Sequence, residues 1–132
     1  MTDLTSYAKE VLKKQKGFIA ANNYEVVKVE EHYCELEGII TETSVNHLGI
    51  AHGGFVFGLA DTAAGIAAMT DNRTAVTIDS NIQYLRACKG TKLKAVAKCL
   101  KTGKNVSFFD VFIYDDQGCL VAKANINYFY IS

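Results

Sequence analysis

One carboxylate stands alone in a run of small and apolar residues. Asp61 is the single charged residue between Gly53 and Met69. An ionised carboxylate withdrawn from water is costly unless it gains a donor, changes its pKa or reaches solvent through a cavity. At a cavity open to solvent, a carboxylate can act as general base for a water or as a nucleophile. Asp61 is therefore the first candidate for a catalytic residue.

Two glycines follow His52 and open the helix that we predict for this run. The first N–H groups of a helix have no partner inside it, and the helix dipole favours negative charge there. Gly53 N–H can thus stabilise the oxyanion of an acyl-transfer transition state, which for one well-placed donor is worth about 3 kcal/mol. Glycine suits this position because a side chain would block the approach of the substrate.

The separation of these two groups predicts the assembly. Gly53 and Asp61 are eight residues apart, a rise of about 12 Å on one helix, whereas both must come within about 3 to 4 Å of one reacting carbon. Two chains with antiparallel central helices can supply both groups, so we expect an obligate dimer with two equivalent sites at its interface. The face that would permit this close contact carries small residues, namely Gly58, Ala64, Gly65 and Ala68.

Simpler interpretations stay open for each of these residues. Asp61 can face solvent on an exposed helix stripe, and His52 can serve only as a helix cap. Asn46 can simply close a turn. A membrane span is disfavoured because residues 53–69 contain many Ala and Gly and a central Asp, without basic flanks.

Length and charge bound the class of protein. A chain of 132 residues with 49% hydrophobic residues fits one domain, 1–132, with a core of useful size. Its 14 basic and 14 acidic residues balance, so no global field argues for nucleic acid or an anionic membrane as partner.

The cysteines and the amino terminus indicate a reducing compartment. Without a Cys-x-x-Cys pair, and with only three histidines, the chain offers no support for a metal site. Residues 1–10 lack a basic start followed by an apolar stretch, so we expect a cytoplasmic protein. The cysteines are expected to be buried thiols: Cys34, Cys88, Cys99 and Cys119.

Periodicity predicts an α+β fold with one antiparallel sheet wrapped around one long helix. A short amphipathic helix is expected at about 3–15 and a long one from 52 to about 70, where alanine is frequent and β-branching rare. Short turns between the later strands predict an antiparallel meander. The predicted strands are 24–29, 33–43, 74–86, 91–101, 105–114 and 119–131.

One motif precedes the strand 76–86 and consists of Asn46, Gly49, His52, Gly53, Gly54 and Asp61. With this motif, nearly the whole chain resembles a known family, the hotdog-fold acyl-CoA thioesterases of the PaaI (phenylacetate pathway) type. The resemblance implies the hotdog fold, an acyl-CoA substrate and no separate cofactor. It also implies a homotetramer built as a dimer of dimers.

The resemblance also implies roles for individual residues. Asp61 would be the base or nucleophile, contributed across the dimer, and Gly53 N–H the oxyanion donor. Asn46 and His52 would orient the thioester or the water, and Thr77 would help to place the water near the aspartate.

Coenzyme A is polyanionic, so local donors should meet its phosphates. Lysines at strand ends are usually solvated, which is the alternative interpretation for each of them. The sequence departs from the family at Ala87, where many relatives carry proline after the strand-ending arginine. The candidates for coenzyme A binding lie at two turns and are Arg86, Lys89, Lys101, Lys104 and Asn105.

The leading hypothesis is a metal-independent thioesterase that hydrolyses a small aryl- or fatty-acyl-CoA to the acid and coenzyme A. One alternative is an acyl-thioester hydratase, although His52 beside Gly53 suits orientation better than proton transfer at carbon. The other is a regulatory hotdog module that binds acyl-CoA without cleaving it. A regulator needs an attached domain, and the helix before residue 24 is too small for a helix-turn-helix.

Overall fold

The computed structural model describes residues 3–132 and has the predicted α+β architecture, with one six-stranded antiparallel sheet packed against a long helix. The helices are α1 (Leu4–Lys13), α2 (Phe18–Ala21) and α3 (Gly53–Ala68). The strands are β1 (Tyr24–Glu30), β2 (Tyr33–Ile39), β3 (Ala75–Tyr84), β4 (Lys92–Thr102), β5 (Val106–Asp115) and β6 (Leu120–Tyr130).

The amino-terminal helix α1 forms as predicted and is fastened to β1. Asp3 caps it by accepting a hydrogen bond from Ser6 N–H at 2.9 Å. The Thr5 hydroxyl donates to Val29 O at 3.1 Å and accepts from Val29 N–H at 2.9 Å. The sequence did not predict α2, a single turn that begins after Gly17, whose φ of 79° is readily adopted by glycine.

The order of strands in the sheet is β1-β2-β4-β5-β6-β3. Strands β4, β5 and β6 form the predicted meander, but the prediction is wrong for β3, which pairs with β6 at the far edge. The connection from β3 to β4 cannot be a tight turn because β5 and β6 lie between these strands in the sheet. It docks on other loops instead. Ala51 N–H donates to Cys88 O at 3.0 Å, and Ile40 N–H donates to Thr91 O at 2.8 Å.

Helix α3 contacts every strand and supplies much of the core. The face predicted to be free is largely covered by the chain itself, so that prediction is wrong for three of its four residues. Gly58 lies against the Tyr24 hydroxyl and the Phe18 ring, and Ala64 and Ala68 have no exposed surface. The stripe that stays partly exposed passes through Asp61 and Gly65 instead.

Four tyrosine hydroxyls of the sheet donate to backbone carbonyls of α3. From β1, Tyr24 donates to Phe55 O at 2.7 Å, and from β3, Tyr84 donates to Gly53 O at 2.7 Å. From β6, Tyr128 donates to Asp61 O at 2.6 Å and Tyr130 to Ala68 O at 2.9 Å. These bonds fix the position of the helix along its whole length.

Two smaller expectations are corrected. Strand β2 ends at Ile39 rather than at residue 43, because Ser44 closes a turn by donating from its amide to Thr41 O at 3.0 Å. All four cysteines are free, but only Cys34 and Cys88 are buried, while Cys99 and Cys119 are partly exposed at a strand bulge and a turn. Within residues 3–132, no helix has the length and apolar character to cross a membrane.

Candidate active site

The start of α3 combines a side-chain cap with backbone N–H groups that have no partner inside the helix. His52 is the N-cap, and its Nδ1 accepts a hydrogen bond from Gly54 N–H at 2.8 Å. Its backbone N–H donates to Ser44 O at 2.8 Å. Among residues 3–132, no acceptor meets Gly53 N–H, so this donor is available to a ligand. The structure thus places His52 as a capping residue beside that donor.

Asn46 closes the loop that precedes α3. Its Oδ1 accepts from Leu48 N–H at 2.9 Å, and its N–H donates to Ile50 O at 2.8 Å. Gly49 takes a φ of 78° in the same turn. Asn46 therefore closes the turn through its side-chain oxygen, as one interpretation expects. The residue also borders the cavity described next.

A cavity of about 370 Å³ opens at the start of α3, a size within the range of small-molecule sites. It brings together three of the predicted site residues, Asn46, Gly53 and Arg86, beside the Tyr84 ring. The residues that line it are Asn46, Ile50, Ala51, Gly53, Val56, Tyr84, Leu85, Arg86, Ala87 and Cys88.

Asp61 is held by two hydroxyl groups from the sheet. Thr77 Oγ1 donates to Asp61 Oδ1 at 2.8 Å, and the Tyr128 hydroxyl reaches the same oxygen at 2.8 Å. Thr77, predicted to help place a water near the aspartate, thus lies in direct contact with Asp61. Burial, and next the charge of Asp61, raise the pKa of Tyr128 far above its ordinary value, so its hydroxyl keeps its proton and remains a donor.

Sequence reasoning missed Tyr128. It is one of seven tyrosines, and tyrosine is common in strands. Its distinguishing property is its pairing with Thr77 across β6 and β3, and no local pattern reveals a strand pairing of that separation.

The two halves of the chemistry lie apart within one chain. Asp61 does not border the cavity at Gly53, because eight residues of α3 separate them, about two helical turns. A single chain therefore has the Gly53 N–H group at one place and the Asp61 carboxylate at another, as the spacing predicts.

The candidate phosphate-binding residues also fall into two groups. Arg86 borders the cavity and Lys89 follows it in an exposed connection. Lys101, Lys104 and Asn105 are exposed around the β4–β5 turn, which is tied to the segment after α3 by Arg73, whose Nη1 donates to Gly103 O at 2.7 Å. The two groups thus lie at opposite ends of α3 and do not meet within one chain.

A charged cluster beyond the end of α3 was not foreseen. Arg73 Nη2 donates to Asp71 Oδ2 at 2.7 Å, and His32 Nε2 lies 3.1 Å from the same oxygen. The Arg73 guanidinium also stacks 3.5 Å from the centre of the Tyr130 ring. The hydrogen bond from Arg73, aided by that from His32, lowers the pKa of Asp71 to about 2.

Comparison with known proteins places this arrangement in a family. The profile of the Thioesterase superfamily matches residues 48–122. Acyl-coenzyme A thioesterase 13 of Mus musculus is 32% identical over 93% of this chain and 94% of the mouse protein. The fold matches the PaaI protein of the Escherichia coli phenylacetic acid degradation operon with a TM-score of 0.90, at 23% identity over 98% of this chain and 97% of that one.

A solved relative adds detail about the site. A hypothetical thioesterase of Streptococcus pneumoniae, solved with coenzyme A, is 31% identical, with a TM-score of 0.82 over 86% of this chain and 91% of that one. It has also been solved with an aspartate and, separately, a threonine replaced by alanine, at positions sixteen residues apart. Asp61 and Thr77 are separated by the same 16 residues. The chain belongs to the thioesterase superfamily and has the hotdog fold of its PaaI-type members.

Proposed function

We propose that this protein is an acyl-CoA thioesterase that hydrolyses a small aryl- or fatty-acyl-CoA to the free acid and coenzyme A. The observation that carries the proposal is the carboxylate of Asp61, held by two hydroxyl groups, on the same helix that presents the Gly53 N–H, which no acceptor of residues 3–132 meets. Membership of the thioesterase superfamily and the likeness to a relative solved with coenzyme A support it. The aspartate and threonine replaced in that relative have the separation of Asp61 and Thr77.

The chemistry follows from these two groups. Asp61 takes a proton from a water as the water oxygen bonds to the thioester carbon, or it attacks that carbon itself. The displaced electron pair of the carbonyl collects on its oxygen, where Gly53 N–H stabilises it. When the pair returns, the carbon–sulfur bond breaks and the sulfur of coenzyme A leaves, taking a proton from Asp61 in the water route or from solvent in the direct route. In the direct route, a water then hydrolyses the acyl anhydride formed on Asp61, which releases the acid and restores the carboxylate. Asn46 and His52 shape the loop and the helix cap around the carbonyl.

A dimer completes this site in the proposal, with Asp61 of the partner subunit beside Gly53. Strand β3 lies at the sheet edge and is exposed over most of its length. Its apolar residues Val76 and Ile78 are 45% and 52% exposed. Long apolar edge strands invite pairing with another strand, and pairing of β3 with its own copy would set two α3 helices antiparallel.

A tetramer has separate support on the outer face of the sheet. Val76, Phe108 and Phe129 point to that face, since Val76 pairs with Phe129 and Phe108 alternates with the buried Phe109. We call these three residues the outer patch. Its members are 39% to 45% exposed, and we infer that a second dimer covers them.

For the nucleotide, we infer that Arg86 makes the main contact with phosphate because it borders the cavity at Gly53. An antiparallel dimer would bring the β4–β5 turn of the partner subunit, at the far end of its α3, near that cavity. Lys101, Lys104 and Asn105 are then available from the second chain, and Lys89 from the first. A reducing cytosol is the proposed location, and the four free cysteines are compatible with it.

The test is release of free thiol from a panel of aryl-, short-, medium- and long-chain acyl-CoAs, with Asp61→Asn as the inactive variant. We expect thiol release by the wild type and a loss of about 10²-fold or more in kcat for Asp61→Asn. Asp110→Asn is the matched control, because Asp110 bonds Lys123 and Asn125 on the opposite face of the sheet.

Two outcomes would contradict the proposal. Hydration of an enoyl-CoA without thiol release would indicate a hydratase. Tight binding of acyl-CoA without turnover of any member of the panel would indicate a regulatory module.

A further inference from the structure

The two oxygens of the Asp61 carboxylate have different environments. Oδ1 accepts from Thr77 and from Tyr128, both at 2.8 Å. Among residues 3–132, no donor meets Oδ2. The carboxylate is thus anchored through one oxygen and open at the other.

The anchor is rigid because its donors are neighbours in the sheet. Thr77 and Tyr128 are directly opposite on β3 and β6, so their side chains leave the sheet on the same face. Tyr128 is 2% exposed, and its ring packs edge-on against Phe109 at 5.9 Å. A side chain enclosed in this way cannot turn to another acceptor.

The hydroxyl of Tyr128 has one proton and two acceptors, and both belong to the same residue. It lies 2.6 Å from Asp61 O and 2.8 Å from Asp61 Oδ1. Tyr24, Tyr84 and Tyr130 also donate to carbonyls of α3, yet none of them reaches a side chain of the helix. Tyr128 therefore does more than fasten the helix.

We propose that Tyr128 is a positioning residue for the hydrolysis: together with Thr77 it fixes Oδ1 of Asp61, so that Oδ2 is the oxygen that reacts. This inference rests on the proposed thioesterase function. Oδ2 takes the proton of the water while the water oxygen bonds to the thioester carbon. In the direct route, Oδ2 itself bonds to that carbon as the thiolate of coenzyme A leaves, and a water then hydrolyses the anhydride. Because both donors are uncharged, they orient the carboxylate without neutralising its charge.

The test compares Tyr128→Phe with Tyr130→Phe, which removes an equivalent hydroxyl two residues further along β6. Each variant loses a hydrogen bond from β6 to a carbonyl of α3, and Tyr128→Phe also loses the bond to Oδ1, so both should have lower thermal stability than the wild type. We expect kcat to fall about tenfold for Tyr128→Phe only, with KM within about twofold, since a misplaced Oδ2 affects the chemical step more than the binding of substrate.

A second measurement shows whether the effect passes through Asp61. In an Asp61→Asn background, adding Tyr128→Phe should leave the residual rate unchanged.

Three results would overturn the inference. Equal kcat values for Tyr128→Phe and Tyr130→Phe would mean that Tyr128 only holds α3 on the sheet. A further drop in rate on the Asp61→Asn background would show that Tyr128 acts elsewhere. If the wild type releases no thiol from the panel, the proposed function fails and this inference fails with it. If the wild type is active and Tyr128→Phe has the same kcat, only the inference is refuted.

Discussion

Two carboxylates of this chain show how the kind of donor decides what an acid can do. Asp71 is bonded by the Arg73 guanidinium, whose positive charge stabilises the ionised form. Asp61 is bonded by hydroxyl groups of Thr77 and Tyr128. Neutral donors fix an orientation without supplying a full countercharge. Asp71 is thus suited to a structural ion pair and Asp61 to proton transfer or attack.

The ion pair of Asp71 should make stability depend on pH. Its pKa in the folded protein is about 2, below the ordinary value of 3.8, so its contribution is present above about pH 4 and is lost as the pH falls towards 2. We expect Asp71→Asn to lower the free energy of unfolding at pH 7 by roughly 1 to 2 kcal/mol, since the side chain is 24% exposed.

Urea denaturation at a series of pH values checks this expectation. The difference between the wild type and Asp71→Asn should shrink between about pH 4 and pH 2. Glu42→Gln, in an exposed loop, is the control and should show no such trend. A difference that stays constant down to pH 2 would mean that the cluster stabilises by packing rather than by charge.

Among the elements, α3 is held by close contacts as well as by hydrogen bonds. A Cβ added at Gly58 would lie 2.5 Å from the Tyr24 hydroxyl and 2.7 Å from the Phe18 ring. At Gly65 the nearest atom, the Tyr128 hydroxyl, would lie at an ordinary 3.6 Å. Gly58 is therefore the glycine that allows α3 to approach β1 and α2.

We expect Gly58→Ala to lower the free energy of unfolding by about 1 to 3 kcal/mol, because the added methyl group must displace a packed ring. Denaturant unfolding of a double-mutant cycle with Tyr24→Phe tests the cause. Removing the Tyr24 hydroxyl should cost less in the alanine background than in the wild type, since it relieves the clash. If the losses of unfolding free energy from Gly58→Ala and Tyr24→Phe are additive, the Tyr24 hydroxyl is not the cause of the strain.

The sequence predicts most of the helices and strands, but it does not predict which strands pair or which face of α3 is buried. Local pattern predicts α3 because alanine is frequent in it, and it predicts the later strands because their composition is typical of strands. The place of β3 beside β6 depends on pairing between distant segments, which no local pattern contains. The buried face of α3 was misjudged because a helix that is apolar on nearly all sides has no periodicity to mark its buried side.

The site could be predicted where the spacing of residues along a helix determines the distance between them. The distance along a helix from Gly53 to Asp61 follows from their numbers alone. Thr77 was identified through family resemblance, and its bond to Asp61 is present. Tyr128 and the Asp71 cluster were missed because their contacts depend on how the sheet and the segment after α3 fold in space.

At the scale of the whole molecule, the proposed dimer can be tested by subunit mixing. Gly53→Pro removes the donor N–H at the first position of α3, where proline is tolerated. His52 already has a ψ of 141°, which suits the residue before proline. Gly53→Pro and Asp61→Asn should each be inactive as homodimers.

Heterodimers of the two variants should regain activity. One of their two sites then combines an intact Gly53 with an intact Asp61 of the partner subunit. After random exchange of subunits, about one quarter of the wild-type activity should return. A mixture that remains inactive although the subunits exchange would mean that the site is not shared between chains.

The tyrosine hydroxyls that bind α3 to the sheet should make the fold sensitive to alkali. In the unfolded chain tyrosine loses its proton near pH 10, whereas burial raises the pKa of Tyr24, Tyr84 and Tyr128 in the folded protein. The free energy of unfolding should therefore fall as the pH rises above 10, because the unfolded chain loses these protons at a lower pH than the folded protein does. The sequence has seven tyrosines and no tryptophan, and the phenolate absorbance contributed by the buried Tyr24 and Tyr128 should appear only when helix and sheet separate.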